Sequence, residues 1–455
     1  MADVSRRGLL SGVVAGLAGA SGAAHAAFPP AVSTSGGTLT SPVPASRPDA
    51  LPADAGGYLE GAPANFTLQN ARILVGDGSE MPGGVRVEAG RIVEVGPAVR
   101  SGTDLGGACI FPGFFDGGSG IGLWEIDLEA GTHDEAEGSD GALPAIRAEE
   151  SYNPMSALLP VARRQGVLGG LVMPTGGVVS GQAAWMRFAG TRVADATVQS
   201  GAGVVVHFGR EGTGSLANQA RSRMGLLWKL RELLDANEPP APPDPKAKKP
   251  KAGEAPKPEV LTRTQKAWRA IRTGELRVIL SASRADDIVA ALSLAAEYKL
   301  SVVLAGCAEG SLVAREIADS GATVLLAPVT TQPSDWDTLY ARYENAAILH
   351  AAGVPLVLRA GGAHNLRELP TEAVVAVAAG LPYGAAIAAA CGFNAAKVWD
   401  LPFGTVAAGR PATFVVAGGD PLEPRTRMQR GFIEGREVSL RSRQSTLFDR
   451  FRSFE

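Results

Sequence analysis

The sequence is poor in the two residue types that most often bind catalytic metals. Only three cysteines and five histidines occur in 455 residues, and no two cysteines have the C-x-x-C spacing of a zinc knuckle. Cys109, Cys307 and Cys391 lie far apart, so at most one disulfide bond could form. An unpaired thiol is usually buried. The cysteines therefore predict neither a zinc knuckle nor a disulfide framework.

Other features that the sequence lacks exclude further classes of partner and site. The formal net charge of −3 and the pI of about 6.1 give no general positive field for nucleic acid or an anionic membrane. After the first residues, no stretch has the ~18 uninterrupted apolar residues that a membrane span needs. The sequence has neither a G-x-S-x-G nucleophile elbow nor a glycine-rich phosphate loop. We therefore expect a small-molecule ligand or substrate as the partner, with no nucleic acid and no transmembrane segment.

The first residues are typical of an export signal. Arg6 and Arg7 precede a weakly apolar stretch rich in Gly and Ala, and residues 24–26 (AHA) supply the small residues that a signal peptidase recognises. Paired arginines before such a stretch favour a twin-arginine signal, which exports folded proteins. Residues 1–26 are thus predicted to be a signal peptide, and the mature protein to be periplasmic or secreted. An ordinary signal peptide with two chance arginines is the alternative and leads to the same compartment.

The composition divides the rest of the chain into segments of different kinds. Residues 27–60 are rich in Pro, Ser, Ala and Gly without periodicity and predict a disordered tail. Residues 66–105 and 400–440 contain short alternating runs, which are typical of antiparallel strands. They predict one small β-sandwich, formed by both chain ends around a central domain at residues 106–399. Within that domain, residues 238–259 are almost wholly Pro, Lys, Ala and Glu and predict a disordered insertion.

The central domain alternates apolar runs with helical patterns. The runs show little polar alternation, as expected of parallel strands that helices cover on both faces. They are residues 110–115, 167–173, 183–188, 204–207, 278–281, 301–305, 323–327 and 355–359. Eight strands alternating with helices can close a (β/α)8 barrel. An open doubly wound sheet is the alternative.

Seven short motifs connect this pattern with a known family. They are residues 70–73 (NARI), 90–92 (GRI), 112–116 (PGFFD), 363–367 (AHNLR), 404–410 (GTVAAGR), 419–422 (GDPL) and 433–436 (IEGR). In this order, the motifs make residues 66–438 resemble the imidazolonepropionase-like branch of the amidohydrolase superfamily. The resemblance implies an α/β fold, a distorted (β/α)8 TIM-type barrel with a small β-sandwich formed by both chain ends. It also implies an ancestral hydrolysis of non-peptide C–N bonds, such as those of cyclic amides.

The same resemblance implies where a metal would bind. Active members hold it with His-x-His after strand 1, histidines after strands 5 and 6, and an aspartate after strand 8. In this sequence the strand 1 positions are Gly118 and Gly120, and the strand 5 position is Ser281. The residues that follow strands 6 and 8, 306–309 and 359–362, contain no histidine or aspartate ligand. Because a catalytic zinc normally needs three protein ligands and a water, we expect no metal at the standard site.

A few polar residues remain as candidates for lining a pocket at the carboxyl ends of the strands. They are His207, Ser281, Cys307, Arg359 and His364. Each has a structural alternative, which is a hydrogen bond within its own loop or, for Cys307, simple burial. The loop after strand 1 is acidic and could bind a hard cation such as calcium, or could simply be solvated. Its carboxylates are Glu125, Asp127, Glu129, Asp134, Glu135, Glu137 and Asp140.

Two functions remain open at this point. In the first, an exported protein with this fold has lost its metal and acts as a binding or partner subunit, for example beside a catalytic amidohydrolase homologue. In the second, it is a hydrolase with an unconventional site, and one divalent metal such as zinc at a non-standard position is the alternative to no cofactor. Two histidines and a carboxylate converging in one cleft would favour the enzyme. A glycine- and serine-lined barrel mouth beside an apolar surface would favour the partner subunit.

Overall fold

The structure is a computed structural model that describes residues 55–59, 65–213, 220–239, 260–331, 333 and 335–452. The predicted signal peptide lies outside the described residues, as do most of the predicted tail and residues 240–259 of the predicted insertion.

The described ranges contain sixteen β-strands. In chain order they are β1 (Phe66–Leu74), β2 (Glu80–Glu88), β3 (Arg91–Gly96), β4 (Thr103–Asp104), β5 (Cys109–Phe111), β6 (Phe114–Ser119), β7 (Val167–Val172), β8 (Val179–Arg187), β9 (Thr197–His207), β10 (Val278–Ala282), β11 (Val302–Gly306), β12 (Val324–Leu326), β13 (Leu356–Leu358), β14 (Phe414–Ala417), β15 (Met428–Ile433) and β16 (Arg436–Val438).

Twelve α-helices lie in the same ranges. They are α1 (Leu158–Arg164), α2 (Val193–Ala196), α3 (Gly209–Thr213), α4 (Arg223–Asp235), α5 (Arg263–Thr273), α6 (Ala285–Tyr298), α7 (Ala314–Ser320), α8 (Asn345–Ala351), α9 (Leu369–Ala378), α10 (Tyr383–Ala390), α11 (Phe393–Trp399) and α12 (Arg443–Phe451). Helix α5 shows how the sequence sets such limits. Thr262 and Gln265 form a capping box at its start, and Gly274 ends it in the left-handed conformation.

Strands β6 to β13 form one eight-stranded sheet in sequential order, which confirms the predicted barrel. The first and last strands, β6 and β13, lie side by side without a regular ladder. The N–H of Ala360, just after β13, donates to Asp116 Oδ1 in β6 at 2.8 Å. Arg359 Nε donates to Gly118 O in β6 at 2.9 Å. These contacts bring the carboxyl ends of the two strands together and leave the barrel nearly closed.

The barrel departs from the predicted repeat at its third strand. Strand β8 is antiparallel to both β7 and β9, whereas the remaining neighbours are parallel. Residues 173–178 connect β7 to β8, and a parallel connection needs a crossover of a dozen residues or more. Gly176 and Gly177 have positive φ angles and turn the chain back directly. The short connection therefore replaces one βα unit by a meander.

The predicted first barrel strand, residues 110–115, is divided between two sheets. Pro112 and Gly113 separate β5 from β6, and Gly113 has a φ of 81°. Proline offers no N–H to a ladder, and a positive φ interrupts extended backbone. As a result, β5 joins the second sheet, and the barrel strand β6 begins at Phe114 and includes Gly118.

The second sheet is assembled from both chain ends, as expected of the predicted β-sandwich. Its order is β16-β15-β14-β5-β1-β2-β3, with β4 paired to β1. Its core is separate from that of the barrel and includes Ile73, Ile92 and Phe414. Phe66 stacks on Phe432 with ring centroids 4.6 Å apart, which joins an early strand to a late one. Residues from both ends thus share one hydrophobic core.

The alternating pattern overestimates the strands of the late chain end. In the predicted segment 400–440, the first regular strand begins only at Phe414, in β14. Gly404 and Gly409 have positive φ angles, and Pro411 cannot donate to a ladder.

The end of the predicted tail contacts the folded domain. The carbonyl oxygen of Gly57 accepts a hydrogen bond from the N–H of Ser439 at 2.7 Å.

Candidate functional site

The candidate site is the mouth of the barrel, where the carboxyl ends of its parallel strands meet. Four of the five predicted pocket residues lie at these strand ends. His207 ends β9 and is in register with Ser281 of β10. Cys307 follows β11 and donates its backbone N–H to Ala282 O at 2.7 Å, and Arg359 follows β13. His364 lies in the 3-10 helix that comes next, Ala363–Glu368.

Asp116 is the buried acid at the closing seam of the barrel. Its side chain is fully buried in β6, and its carboxylate accepts the N–H of Ala360 and, at 3.0 Å, that of Gly118. Burial raises the pKa of Asp116, while these backbone N–H groups and the nearby Arg359 guanidinium act in the opposite direction. Asp116 therefore fixes the ends of β6 and β13 rather than facing a ligand.

A side chain at Gly118 would be strained and would press on its neighbours. Its φ is 149°, a conformation that residues with a side chain rarely adopt. A Cβ added there would lie 2.4 Å from Met173 Sδ and 3.2 Å from Arg359 Nε. Met173 is itself buried, and its N–H donates to Ser119 O, which holds its backbone next to β6. The space that a first histidine would need is thus filled by a thioether and a guanidinium.

The second glycine, Gly120, faces an aromatic ring. A Cβ at this position would lie 3.0 Å from Trp124 Nε1. Trp124 contacts two histidines: His364 is edge-on with ring centroids 4.7 Å apart, and His133 is tilted at 5.4 Å. The loop after β6 and the loop after β13 therefore meet across the indole of Trp124, at the place where the second ligand would project.

His133 is held by its own loop. Its Nδ1 lies 2.9 Å from Glu135 Oε1, and its Nε2 lies within 3.2 Å of the carbonyl oxygens of Ile126 and Asp127. The hydrogen bond with Glu135 raises the pKa of His133, and the carboxylate charge adds to this effect. Both ring nitrogens already have hydrogen-bond partners. His133 therefore stabilises its own loop and is not available as a base.

Several carboxylates of the acidic loop already accept hydrogen bonds. Glu125 accepts from Asn153 Nδ2, Glu129 accepts the N–H of Gly131, and Glu137 accepts the N–H of Ser139. The bonds of Glu129 and Glu137 are local and typical of a loop that fixes its own turns, whereas the bond of Glu125 ties the loop to the segment before α1. They give no support to the calcium alternative.

His207 and Cys307 are buried at the mouth. His207 is 2 % exposed and Cys307 is fully buried, with burial raising the pKa of the thiol to about 12. A nucleophilic cysteine needs the opposite shift, toward the thiolate. Cys307 also has a φ of 54°, and Asn345 Nδ2 donates to its carbonyl at 2.8 Å. The structure therefore places Cys307 in a tight turn rather than in a reactive position.

The residues present do not fit the metal that the family resemblance implies. Across the part of the chain that the structure describes, no three His, Cys, Asp or Glu side chains are grouped closely enough to hold a metal ion. The two glycines offer no donor, and Trp124 and Met173 occupy the space in front of them. Of the donors at the mouth, His207 and Ser281 come from neighbouring strands and would supply two ligands, fewer than a catalytic zinc needs.

An open cavity lies beside the mouth but avoids the predicted residues. It has a volume of about 420 Å³ and is lined at the ends of β12 and β13 by Pro328, Thr330, Thr331, Ala360 and Gly361. None of His207, Ser281, Cys307, Arg359 and His364 contributes to its lining. The structure thus gathers the five residues at one end of the barrel without joining them in this cavity.

Sequence reasoning missed three residues that define this site. Asp116 was part of the PGFFD motif, and an acid within an otherwise apolar strand could have marked it as a buried anchor. Met173 and Trp124 carried no signal, because Met173 contacts a glycine that is distant in sequence and Trp124 contacts one across a turn. No helix among the described residues is both long enough and apolar enough to cross a membrane.

Comparisons with known proteins agree with this architecture. No family model and no curated protein matches the sequence. A solved amidohydrolase from Thermotoga maritima MSB8 is 23 % identical, with a TM-score of 0.74 over 82 % of this chain and 100 % of its own. A prolidase solved with N-methylphosphonate-L-proline is 16 % identical, with a TM-score of 0.50 over 82 % and 99 %. The chain therefore has the amidohydrolase fold.

Proposed function

We propose that this protein descends from a hydrolase of non-peptide C–N bonds, has lost the metal, and acts in the periplasm or outside the cell as a binding or partner subunit. The observation that carries the proposal is Gly118. Residues with a side chain rarely adopt its backbone conformation, and Met173 lies in the adjacent space. Both the backbone and the neighbouring side chains therefore oppose a metal ligand at this position, and a single substitution would not restore one.

Exposed aromatic and apolar side chains support the partner role. The loop after β12 carries Trp336 and Tyr340, which are 71 % and 62 % exposed. Asp337 in the same loop pairs with Arg223 at 2.7 Å, which brings the start of α4 and the exposed Met224 to this loop. Both segments follow carboxyl ends of barrel strands. Exposed apolar groups gathered in one region are typical of contact surfaces.

The hydrolase alternative has one observation in its favour, because His133, Glu135 and His364 all lie around Trp124. Two histidines and a carboxylate would suit general acid–base chemistry if they faced one substrate. Here the indole separates the two rings, and both nitrogens of His133 are already engaged. The arrangement supports a structural aromatic cluster better than a catalytic one.

The first test is the metal content of the protein. We would purify it from the periplasm without a metal-binding tag or added metal, and measure zinc, iron and manganese by elemental analysis. Folded protein with less than about a tenth of an equivalent of each metal is the expected result, because three ligands are not available. About one equivalent, lost in the double variant H207A/H364A, would overturn the proposal and justify assays with amide and lactam substrates.

A further inference from the structure

A second cavity lies at the opposite end of the barrel from the mouth. It has a volume of about 490 Å³ and is lined by the beginning of β13, by α10 and α11, and by the turn between β1 and β2. The turn approaches α10 at two glycines: a Cβ on Gly78 would lie 2.7 Å from Gly384 Cα. The barrel and the second sheet therefore meet backbone to backbone beside this cavity.

Two opposite charges line the cavity from different elements. Asp77 comes from the β1–β2 turn, and Lys397 comes from α11. Asp77 Oδ1 accepts the N–H of Ser79 at 2.9 Å, and hydrogen bonds from Ser79, aided by the charge of Lys397, lower the pKa of this carboxyl. The Lys397 ammonium lies 4.3 Å from the ring centre of Phe393, which also lines the cavity. Both charges are thus held by local contacts.

The remaining lining combines apolar and polar surface. Val354, Leu356, Leu381 and Ala388 are buried side chains at its base. Asn394 also lines the cavity, but its Nδ2 already donates to Leu356 O at 2.9 Å. The volume lies within the ~300–1,000 Å³ typical of small-ligand sites, which combine an apolar surface with a few polar groups.

This combination defines the chemistry of a matching ligand. One carboxylate and one ammonium above an apolar base complement a molecule with one ammonium, one carboxylate and an apolar side chain. A simple anion would be attracted by Lys397 but repelled by Asp77. A simple cation would be attracted by Asp77 but repelled by Lys397. His350 lines the same cavity from the end of α8 and is exposed, as are Asp77 and Lys397, so all three stand at the opening above the apolar base.

We propose that this cavity binds a small apolar zwitterion of the α-amino-acid class, with Asp77 facing its ammonium and Lys397 its carboxylate. The site is remote from the barrel mouth and does not depend on whether the protein has lost a metal. It would allow the protein to bind a small molecule even though Trp124 and Met173 fill the space in front of the two glycines.

The test uses three matched probes in isothermal titration calorimetry of the full chain at pH 7. L-Leucine carries both charges, L-leucinamide lacks the carboxylate, and 4-methylpentanoate lacks the ammonium. L-Leucine is expected to bind about tenfold or more tightly than either of the others, because each loses one charge-assisted contact. L-Phenylalanine provides a second zwitterion with a larger side chain.

Variants locate the binding. K397M and D77N should each weaken L-leucine binding about tenfold or more, and A385F, which places a ring in the cavity, should abolish it. K266M on α5 is the matched control and should bind normally, with circular dichroism verifying the fold of each variant. Equal binding of the three probes, unchanged binding in K397M and D77N, or no binding of either amino acid at about 10 mM would overturn the proposal.

Discussion

Single residues decide the chemistry of the barrel mouth. Histidine is a good metal ligand because a neutral ring nitrogen offers a lone pair, and glycine offers none. The structure adds that Gly118 has a φ of 149° and that Arg359 and Met173 surround it. The loss of the metal ligand and the repacking of the neighbouring side chains go together. Restoring a histidine at position 118 would therefore cost stability.

Restoring a histidine at position 118 should therefore destabilise the protein without restoring metal binding. G118H is expected to lower the free energy of unfolding by about 2 kcal/mol or more, because backbone strain and overpacking act together. Urea denaturation followed by circular dichroism measures the change, and elemental analysis of the same variant should find no bound zinc.

Two further glycines separate the causes in this experiment. Gly380 also lies outside the left-handed helical region, with a φ of 104°, and a Cβ there would meet only Ala347 Cβ at 3.6 Å, so G380A reports mainly the backbone strain. G120A would instead press on Trp124, which can shift its ring. Both should cost less than G118H. A stable G118H variant that binds one zinc would contradict this account of the mouth.

The loop after β6 shows what an element adds to single residues. Trp124 and His133 form a bridge within this loop, and Trp124 also touches His364 from the loop after β13. Both histidines pack against Trp124, and the resulting cluster closes the space at Gly120. Because Glu135 holds Nδ1 of His133, we expect the position of the loop to depend on the protonation of His133.

Protonation of His133 should be visible in the fluorescence of Trp124. An imidazolium next to an indole quenches its emission, so we expect the emission to rise with pH through the pKa of His133. Because Glu135 raises that pKa from 6.5, the midpoint should lie above 6.5. The difference between the native protein and W124F isolates the Trp124 signal from the other five tryptophans.

The sign of the associated stability change follows from the same shift. A histidine with a raised pKa in the folded state stabilises that state fully below about pH 6.5, and the contribution is lost as pH rises through the higher folded-state pKa. E135Q should move the fluorescence midpoint back toward 6.5. A midpoint that does not respond to E135Q would show that this carboxylate does not control the loop.

At the scale of the whole molecule, a polar cluster ties the second sheet to the barrel. Asp420, after β14, accepts from Tyr383 of α10 at 2.9 Å and from Arg72 of β1 at 2.9 Å. It also accepts the N–H of Leu422. One carboxylate therefore connects an early strand, a late loop and a barrel helix, which couples the two sheets energetically.

Removing this carboxylate should destabilise both sheets together. D420A is expected to reduce the free energy of unfolding by about 2 kcal/mol, since it leaves Arg72 and Tyr383 without their shared acceptor. Y383F, which removes only one donor, should cost about 1 kcal/mol. Urea unfolding monitored by both circular dichroism and tryptophan fluorescence should give coincident transitions in the native protein.

The exposed pair Arg315–Asp319 provides the control, because its side chains are 91 % and 74 % exposed at a separation of 3.7 Å. D319A should change the free energy of unfolding by less than about 0.5 kcal/mol. An equally small effect of D420A would mean that the cluster does not couple the sheets.

The sequence by itself determined the architecture. Apolar runs without alternation indicated the barrel strands, and paired alternating runs at both chain ends indicated the second sheet. These signals are local, since burial on one or both faces sets the periodicity of each strand. The same local signal could not reveal that β8 runs antiparallel, because its direction depends on the short turn at Gly176 and Gly177.

The missing donors at positions 118 and 120 were also evident from the sequence, since glycine cannot coordinate a metal whatever its surroundings. Only the tertiary structure decided what fills their space. Met173 and Trp124 reach the glycines through the packing of neighbouring loops, and Arg359 reaches Gly118 from the far end of the barrel sheet. The charged cavity at Asp77 and Lys397 arises in the same way, because residues more than 300 positions apart become neighbours only when the barrel and the second sheet pack together.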